Sequence, residues 1–119
     1  MGYESRVIIA RRYNTKKQDN ILDILAELPL SKMGGDFRDL FANEWKTGYY
    51  HLPSGQTIIK DKYDRTVTYA PFRKVHKWCV ENANEQRYRR LDLLLAVLDS
   101  IQRGWNYDLG EIIVIHYGY

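Results

Sequence analysis

"GEIIVIHYGY", residues 110–119, closes the chain, and the reading of this run decides the fold. Four consecutive apolar residues, Ile112 to Ile115, precede a histidine and two tyrosines. β-Branched residues dominate, and the run is too short for an independent helix, so it reads as a strand. Strand alternation puts Ile112, Val114 and His116 on one face, and Ile113 and Ile115 on the other with Tyr117 and Tyr119. Apolar side chains on both faces belong to a strand inside a sheet that is covered on both sides. His116 is therefore a core-strand residue before it is a candidate catalytic base.

A second run has the same character. "SRVIIARRY", residues 5–13, carries Val7, Ile8, Ile9 and Ala10 on both alternating faces. The simplest arrangement pairs the two runs at the centre of one sheet, residues 6–11 against 111–116. Between them, "NTKKQDN" (14–20) is a polar connection in which Asp19 or Asn20 can cap a helix. Ile21, Leu22, Ile24, Leu25 and Leu28 then recur at helical spacing, and Pro29 ends that expected helix. Asp36 can cap a second short helix with Phe37, Leu40 and Phe41 on one face. "WKTGYYHL", the turn signal "PSG" and "QTIIK" (45–60) read as a β-hairpin, and "RTVTY" (65–69) extends it to a three-stranded meander. Pro71 suits the first position of a helix carrying Phe72, Val75, Cys79 and Val80. A longer helix runs through Tyr88, Leu91, Leu94, Leu95, Leu98 and Ile101 and stops at Gly104.

These elements specify one layered α+β domain over residues 1–119, with an antiparallel or mixed sheet and helices mainly on one face. A decorated ferredoxin-like arrangement has a similar element order. It would leave the last strand at an edge, which conflicts with the two-faced apolar "IIVI".

The chain of 119 residues can bury about two-thirds of its unfolded surface. With 45% hydrophobic and 28% charged residues it has ordinary globular composition, not that of a disordered chain. The lone cysteine, Cys79, excludes an internal disulfide framework and suits a reducing compartment. No apolar run approaches the roughly 20 residues that cross a bilayer, so no membrane partner is expected. The N-terminal apolar core is too short for a signal peptide, and Arg6 stands where a myristoylation pattern needs Ser or Thr. A cytoplasmic location follows as the expectation.

Charge is segregated along the chain. Residues 1–17 hold five basic side chains and one acidic, and residues 66–90 hold six and two. Residues 18–44, by contrast, hold two basic and six acidic. Dedicated nucleic-acid modules carry a larger net excess than the +3 of this chain. Convergence of the two basic blocks on one surface would nevertheless create a site for DNA or RNA, with Tyr13, Tyr117 and Tyr119 as a stacking face.

Motifs of catalysis are weak. His51, His76 and His116 sit in no recognisable local constellation. His76 and Cys79 share a helical spacing, but a structural zinc site needs four ligands, and the chain holds four His and Cys in all, scattered. "KDKYDR" places Asp61 and Asp64 near lysines, loosely like a metal-dependent nuclease, yet it reads better as a solvated turn. Asp36 and Asp39 read as helix N-terminal charges. No phosphate-binding or zinc-protease motif is present. No catalytic residue, cofactor or metal is therefore assigned.

Ten tyrosines and three tryptophans are the unusual feature. Interleaved with arginine, as in "NEQRYRR" (84–90), they are the residue types enriched at interface hot spots. The candidate partner-binding residues are Tyr49, Tyr50, Arg87, Tyr88, Arg89 and Arg90. Tyr117 and Tyr119 join them as a strand end able to dock a partner or form a homodimer.

The opening "GYESRV" (Gly2–Val7), the "YRR" at Tyr88–Arg90 and the closing "VIHYGY" (Val114–Tyr119) resemble a group of small uncharacterised proteins encoded by bacteriophages and prophages. The resemblance covers the two ends and the start of the leucine-rich helix, and leaves about 14–87 unmatched. It implies a phage accessory protein in the host bacterial cytoplasm, one that blocks a host factor or a defence system, such as a CRISPR nuclease, by protein–protein contact. It carries no catalytic residues with it. Three expectations result: a non-enzymatic inhibitor bound to a host protein, the alternative of a DNA- or RNA-binding protein, and a small enzyme with a histidine beside a carboxylate.

Overall fold

A computed structural model describes residues 5–13, 21–31, 33–41, 43–44, 50–51, 57–58, 67–83, 90–104 and 111–118. The elements, in chain order, are β1 (Ser5–Tyr13), β2 (Ile21–Ser31), α1 (Gly34–Arg38), β3 (Asn43–Glu44), β4 (Tyr50–His51) and β5 (Thr57–Ile58). They continue with β6 (Thr68–Pro71), α2 (Phe72–Glu81), α3 (Leu91–Gly104) and β7 (Ile112–Gly118). One mixed sheet runs in the order β3-β6-β7-β1-β2-β4-β5.

The two apolar runs pair as their composition demands. β1 and β7 are antiparallel, from Arg6 opposite Tyr117 to Arg11 opposite Ile112. β7 is interior, with β6 on its other side from Thr68 opposite His116 to Pro71 opposite Ile113. Ile113–His116 is paired on both sides, and Tyr117 and Gly118 pair with β1.

Alternation splits the core into two layers. Val7, Ile9, Ala70, Ile112 and Val114 face the helices and pack with Phe37, Phe72, Val75, Leu91, Leu94 and Leu98. Ile8, Ala10, Val67, Ile113 and Ile115 form a smaller buried layer on the opposite face. Each fully buried Val, Leu, Ile or Phe contributes roughly 1.5–3 kcal/mol, so the two-faced strands at the centre hold much of the fold. The α+β class and helices packed on one face are as expected.

Residues 21–28 are the main correction. They form not a helix but most of β2, antiparallel to β1 from Tyr13 opposite Ile21 to Ser5 opposite Ser31. The ladder shifts register where Ile9 faces Ala26 but Ala10 faces Ile24, which leaves Leu25 as an extra residue. Such a bulge breaks the two-residue period. Leu25, Ala26 and Leu28 all pack on the helix-side core, while Ile24 packs on the other layer. The phase slip imitates helical spacing. A second shift skips Leu30 beside Pro29, and a proline within a strand belongs at such a bulge or at an edge. Beyond β2, β4 adds only the parallel pair Ile21 and His51.

The expected hairpin is present as β4 against β5, Tyr50 opposite Ile58. The meander is not: β6 crosses to the other half of the sheet and pairs with β3 and β7. The order is also not ferredoxin-like, because β2 is the antiparallel neighbour of β1 and the last strand lies inside the sheet. α1 comprises five residues, with Asp36 inside its first turn and not ahead of it, and buried Phe37 and Phe41 anchor it. Pro71 ends β6 with extended backbone angles and stands before α2 as its N-cap. Val80, expected on the apolar stripe of α2, is exposed, and Trp78 packs instead, edge-on to Phe37 at 5.4 Å. α3 begins at Leu91 and ends at Gly104.

Candidate functional site

Two histidines lie in defined surroundings. Ser5 of β1 faces Gly118 and Val7 faces His116, so Ser5 and His116 are diagonal neighbours on the helix side of the sheet. Ser5 Oγ and His116 Nε2 lie 2.8 Å apart. The Phe41 and Phe37 rings lie 5.1 and 6.1 Å from the imidazole. A serine beside a histidine has the composition of an activated nucleophile. Here Ser5 is 1% exposed and His116 5%, and the phenyl rings pack against the pair. The arrangement satisfies buried polar groups within a core.

The second histidine joins the helices. His76 Nε2 on α2 is 2.7 Å from Asp99 Oδ1 on α3, and the ring stacks on Phe72 at 5.7 Å. Cys79, one turn on from His76, is fully buried. Burial, with the Asp99 charge adding to it, pushes its thiol up to about 12, so it stays protonated and is a poor nucleophile. Among the described residues no group of three or more His, Cys, Asp or Glu could hold a metal. No helix among them is long and apolar enough to cross a membrane.

Of the expected partner-binding residues, Arg90 is described in full. It is exposed at the start of α3, and its Nη1 donates to the Pro29 carbonyl of β2 at 2.6 Å. That bond ties the basic start of the helix to the sheet. Tyr50 lies in β4, and Tyr117 lies in β7 opposite Arg6. Tyr49, Arg87, Tyr88, Arg89 and Tyr119 lie outside the described residues, as do Asp61 and Asp64. The structure therefore brings no two of the candidate side chains into described contact.

The basic blocks can be traced in part. Arg6 bridges to Glu27 at 3.2 Å, and Arg11 to Glu111 at 2.9 Å. Arg12 donates to the Tyr69 hydroxyl at 3.3 Å, with its guanidinium 5.4 Å from the ring centre. Arg6 and Arg12 share the parity of Ile8 and Ala10 and lie on the sheet face away from the helices. Arg73, Lys74 and Lys77 are exposed on α2, in the helical layer of the opposite face. Arg11 has the parity of Val7 and Ile9 and lies on the helix side, and Arg90 reaches Pro29, the β2 partner of Arg6.

Sequence reasoning missed Ser5, Asp99 and Glu111. Ser5 was within reach, since it heads a strand whose pairing with the His116 strand was expected. Asp99 meets His76 only through the packing of two helices, which no spacing reveals. No family model, curated protein or solved structure matches the chain.

Proposed function

We propose that the chain is a binding protein that acts by contact with another protein. One observation carries the reading. Val80, at 54%, and Leu93, at 47%, are the exposed large hydrophobics among the described residues. They flank the α2–α3 connection, whose sequence is "NEQRYRR", and Arg90 at its end is anchored to the sheet. Apolar anchors beside Arg and Tyr are what interface centres are made of. The resemblance at Gly2–Val7, Tyr88–Arg90 and Val114–Tyr119 supports a sharper form: a phage-encoded inhibitor of a host factor or defence system, such as a CRISPR nuclease, in the bacterial cytoplasm. Affinity capture from bacterial lysate followed by mass spectrometry tests the reading. A stoichiometric protein partner, lost when Arg87, Arg89 and Arg90 are all replaced by glutamate, is the expected result. Recovery of nucleic acid without such a partner overturns it.

A further inference from the structure

α2 carries its charge the wrong way round. A helix is stabilised by acidic side chains in its first turn and basic ones in its last. α1 and α3 follow the rule, with Asp36 and Arg38 in the one and Asp92 and Arg103 in the other. α2 has no acidic residue in its first turn and no basic residue in its last. Arg73 and Lys74 occupy that first turn instead, and the N-cap, Pro71, supplies no side-chain bond. Both cations are exposed, and neither forms an ion pair among the described residues. Lys77 reaches Glu81 only at 4.0 Å, with both side chains largely in solvent. Arg73 and Lys74 run against the helix dipole, and the Lys77–Glu81 pair lies in solvent, where such a pair is weak.

Their spacing gives them a common surface. Arg73, Lys77 and Val80 stand at i, i+4 and i+7, which aligns them on one outer stripe, and Lys74 borders it. Val80 is 54% exposed at the end of that stripe. A row of exposed cations, of which only Lys77 is loosely paired with Glu81, ends in an exposed valine and is complementary to carboxylates followed by an apolar side chain. A nucleic-acid backbone would use the cations but not the valine, and it typically engages more phosphates than three residues on one helix can meet. Arg6, Arg11 and Arg12 cannot extend the row, since they lie on the sheet and are engaged there.

We propose that the outer face of α2 docks an acidic segment of a partner protein, with Arg73, Lys74 and Lys77 receiving its carboxylates and Val80 seating an apolar side chain. The inference rests on the protein-binding reading above and specifies the chemistry of the partner. Three labelled probes test it by fluorescence anisotropy: a helical peptide of glutamate and leucine, the same peptide with serine for leucine, and a DNA duplex of equal charge. The glutamate–leucine peptide should bind tightest. The pair Arg73→Glu and Lys77→Glu should weaken it by about tenfold or more. The milder pair Arg73→Gln and Lys77→Gln should weaken it less, with the thermal melt not lowered, because both positions are exposed and the Arg73 charge opposes the helix dipole. Val80→Ser should reduce the leucine peptide to the level of the serine peptide. Equal binding by the charge-reversed chain, or DNA bound as tightly as the peptide, overturns the proposal. In lysate capture, a protein partner retained undiminished by the charge-reversed chain overturns this inference and leaves the general reading standing. Nucleic acid recovered alone removes both.

Discussion

Ser5 and His116 are 111 residues apart in the chain and 2.8 Å apart in the fold. The contact closes the β1–β7 ladder at the end where the chain's two terminal strands meet. Both side chains are buried, and the Ser5 hydroxyl takes from His116 a polar partner that water does not supply.

Ser5→Ala should therefore destabilise the fold by about 1–3 kcal/mol, the cost of stripping a buried group of a partner. His116→Phe alone should also be costly, because it strands the Ser5 hydroxyl among apolar neighbours. The double variant should recover part of the loss, because two apolar groups replace two polar ones. A double-mutant cycle in urea measures this coupling, and strict additivity would show that the contact carries no energy of its own.

Cys79 makes stability depend on alkaline pH. Its thiol ionises near 9.0 in an unfolded chain and near about 12 in the fold. Below pH 9 both states hold the proton and the stability is intact. As pH rises above that, the unfolded chain ionises first, and stability falls by up to about 1.4 kcal/mol per pH unit until the folded thiol also ionises. Urea midpoints at about pH 8 and about pH 10 should drop further for the parent than for Cys79→Ala, whose comparison cancels the tyrosines. An identical drop would remove the assignment.

Asp99 has two effects that one substitution separates. Asp99→Asn weakens the clip between α2 and α3 by about 1 kcal/mol, the scale of one partly buried hydrogen bond. It also removes the negative charge that helps hold the Cys79 thiol protonated. The variant should melt lower and yet react faster with iodoacetamide at alkaline pH under native conditions. Slower labelling would contradict the electrostatic part.

Much of the sheet was legible in the sequence because two separate runs signal it. Both β1 and β7 are apolar on alternate faces, and this alone implies interior strands that pair. α2 and α3 were legible for the related reason that each carries an apolar stripe, although on α2 Trp78 and not Val80 belongs to it. β2 was not. Its bulge at Leu25 shifts the phase by one residue, so a strand shows apolar residues at helical intervals. The sequence run offers only about two helical turns, too few for a helix to persist unaided, whereas pairing with β1 satisfies the backbone along all nine residues of that strand. The placement of β6 beside β7 was equally hidden, since the chain gives no local sign that it leaves the hairpin. For the candidate site, Arg90 is exposed, and its bond to the Pro29 carbonyl, which no spacing shows, exists only because β2 is a strand.

Ala26 decides between the two readings of that segment. On a helix built on Ile21, Leu25 and Leu28 it would lie off the apolar stripe and tolerate charge. In the bulged strand it opposes Ile9 and packs on the helix-side core. Ala26 is partly buried, so Ala26→Glu should cost about 1–3 kcal/mol, whereas Glu27→Gln next to it should cost under about 1 kcal/mol. Chemical denaturation of the two variants checks this, and equal tolerance would favour the helix.

The closing residues carry the final prediction. Tyr117 and Gly118 pair with Arg6 and Ser5, so they extend the central ladder beyond the point where β6 stops. Deleting residues 117–119 removes those backbone bonds and leaves the Ser5–His116 contact at a frayed strand end. Frayed ends admit water, and a buried polar pair that gains water no longer specifies the strand register. The deletion should therefore lower the melting temperature measurably and increase hydrogen exchange at Val7 and Ile115, at any protein concentration. Were the tyrosines instead a docking edge for a homodimer, the deletion would leave the melt of a dilute sample unchanged and abolish association at high concentration. Thermal melts and sedimentation velocity on the two chains, each over a range of concentrations, separate the outcomes. A truncated chain that melts like the parent sinks the structural role assigned here to Tyr117 and Gly118.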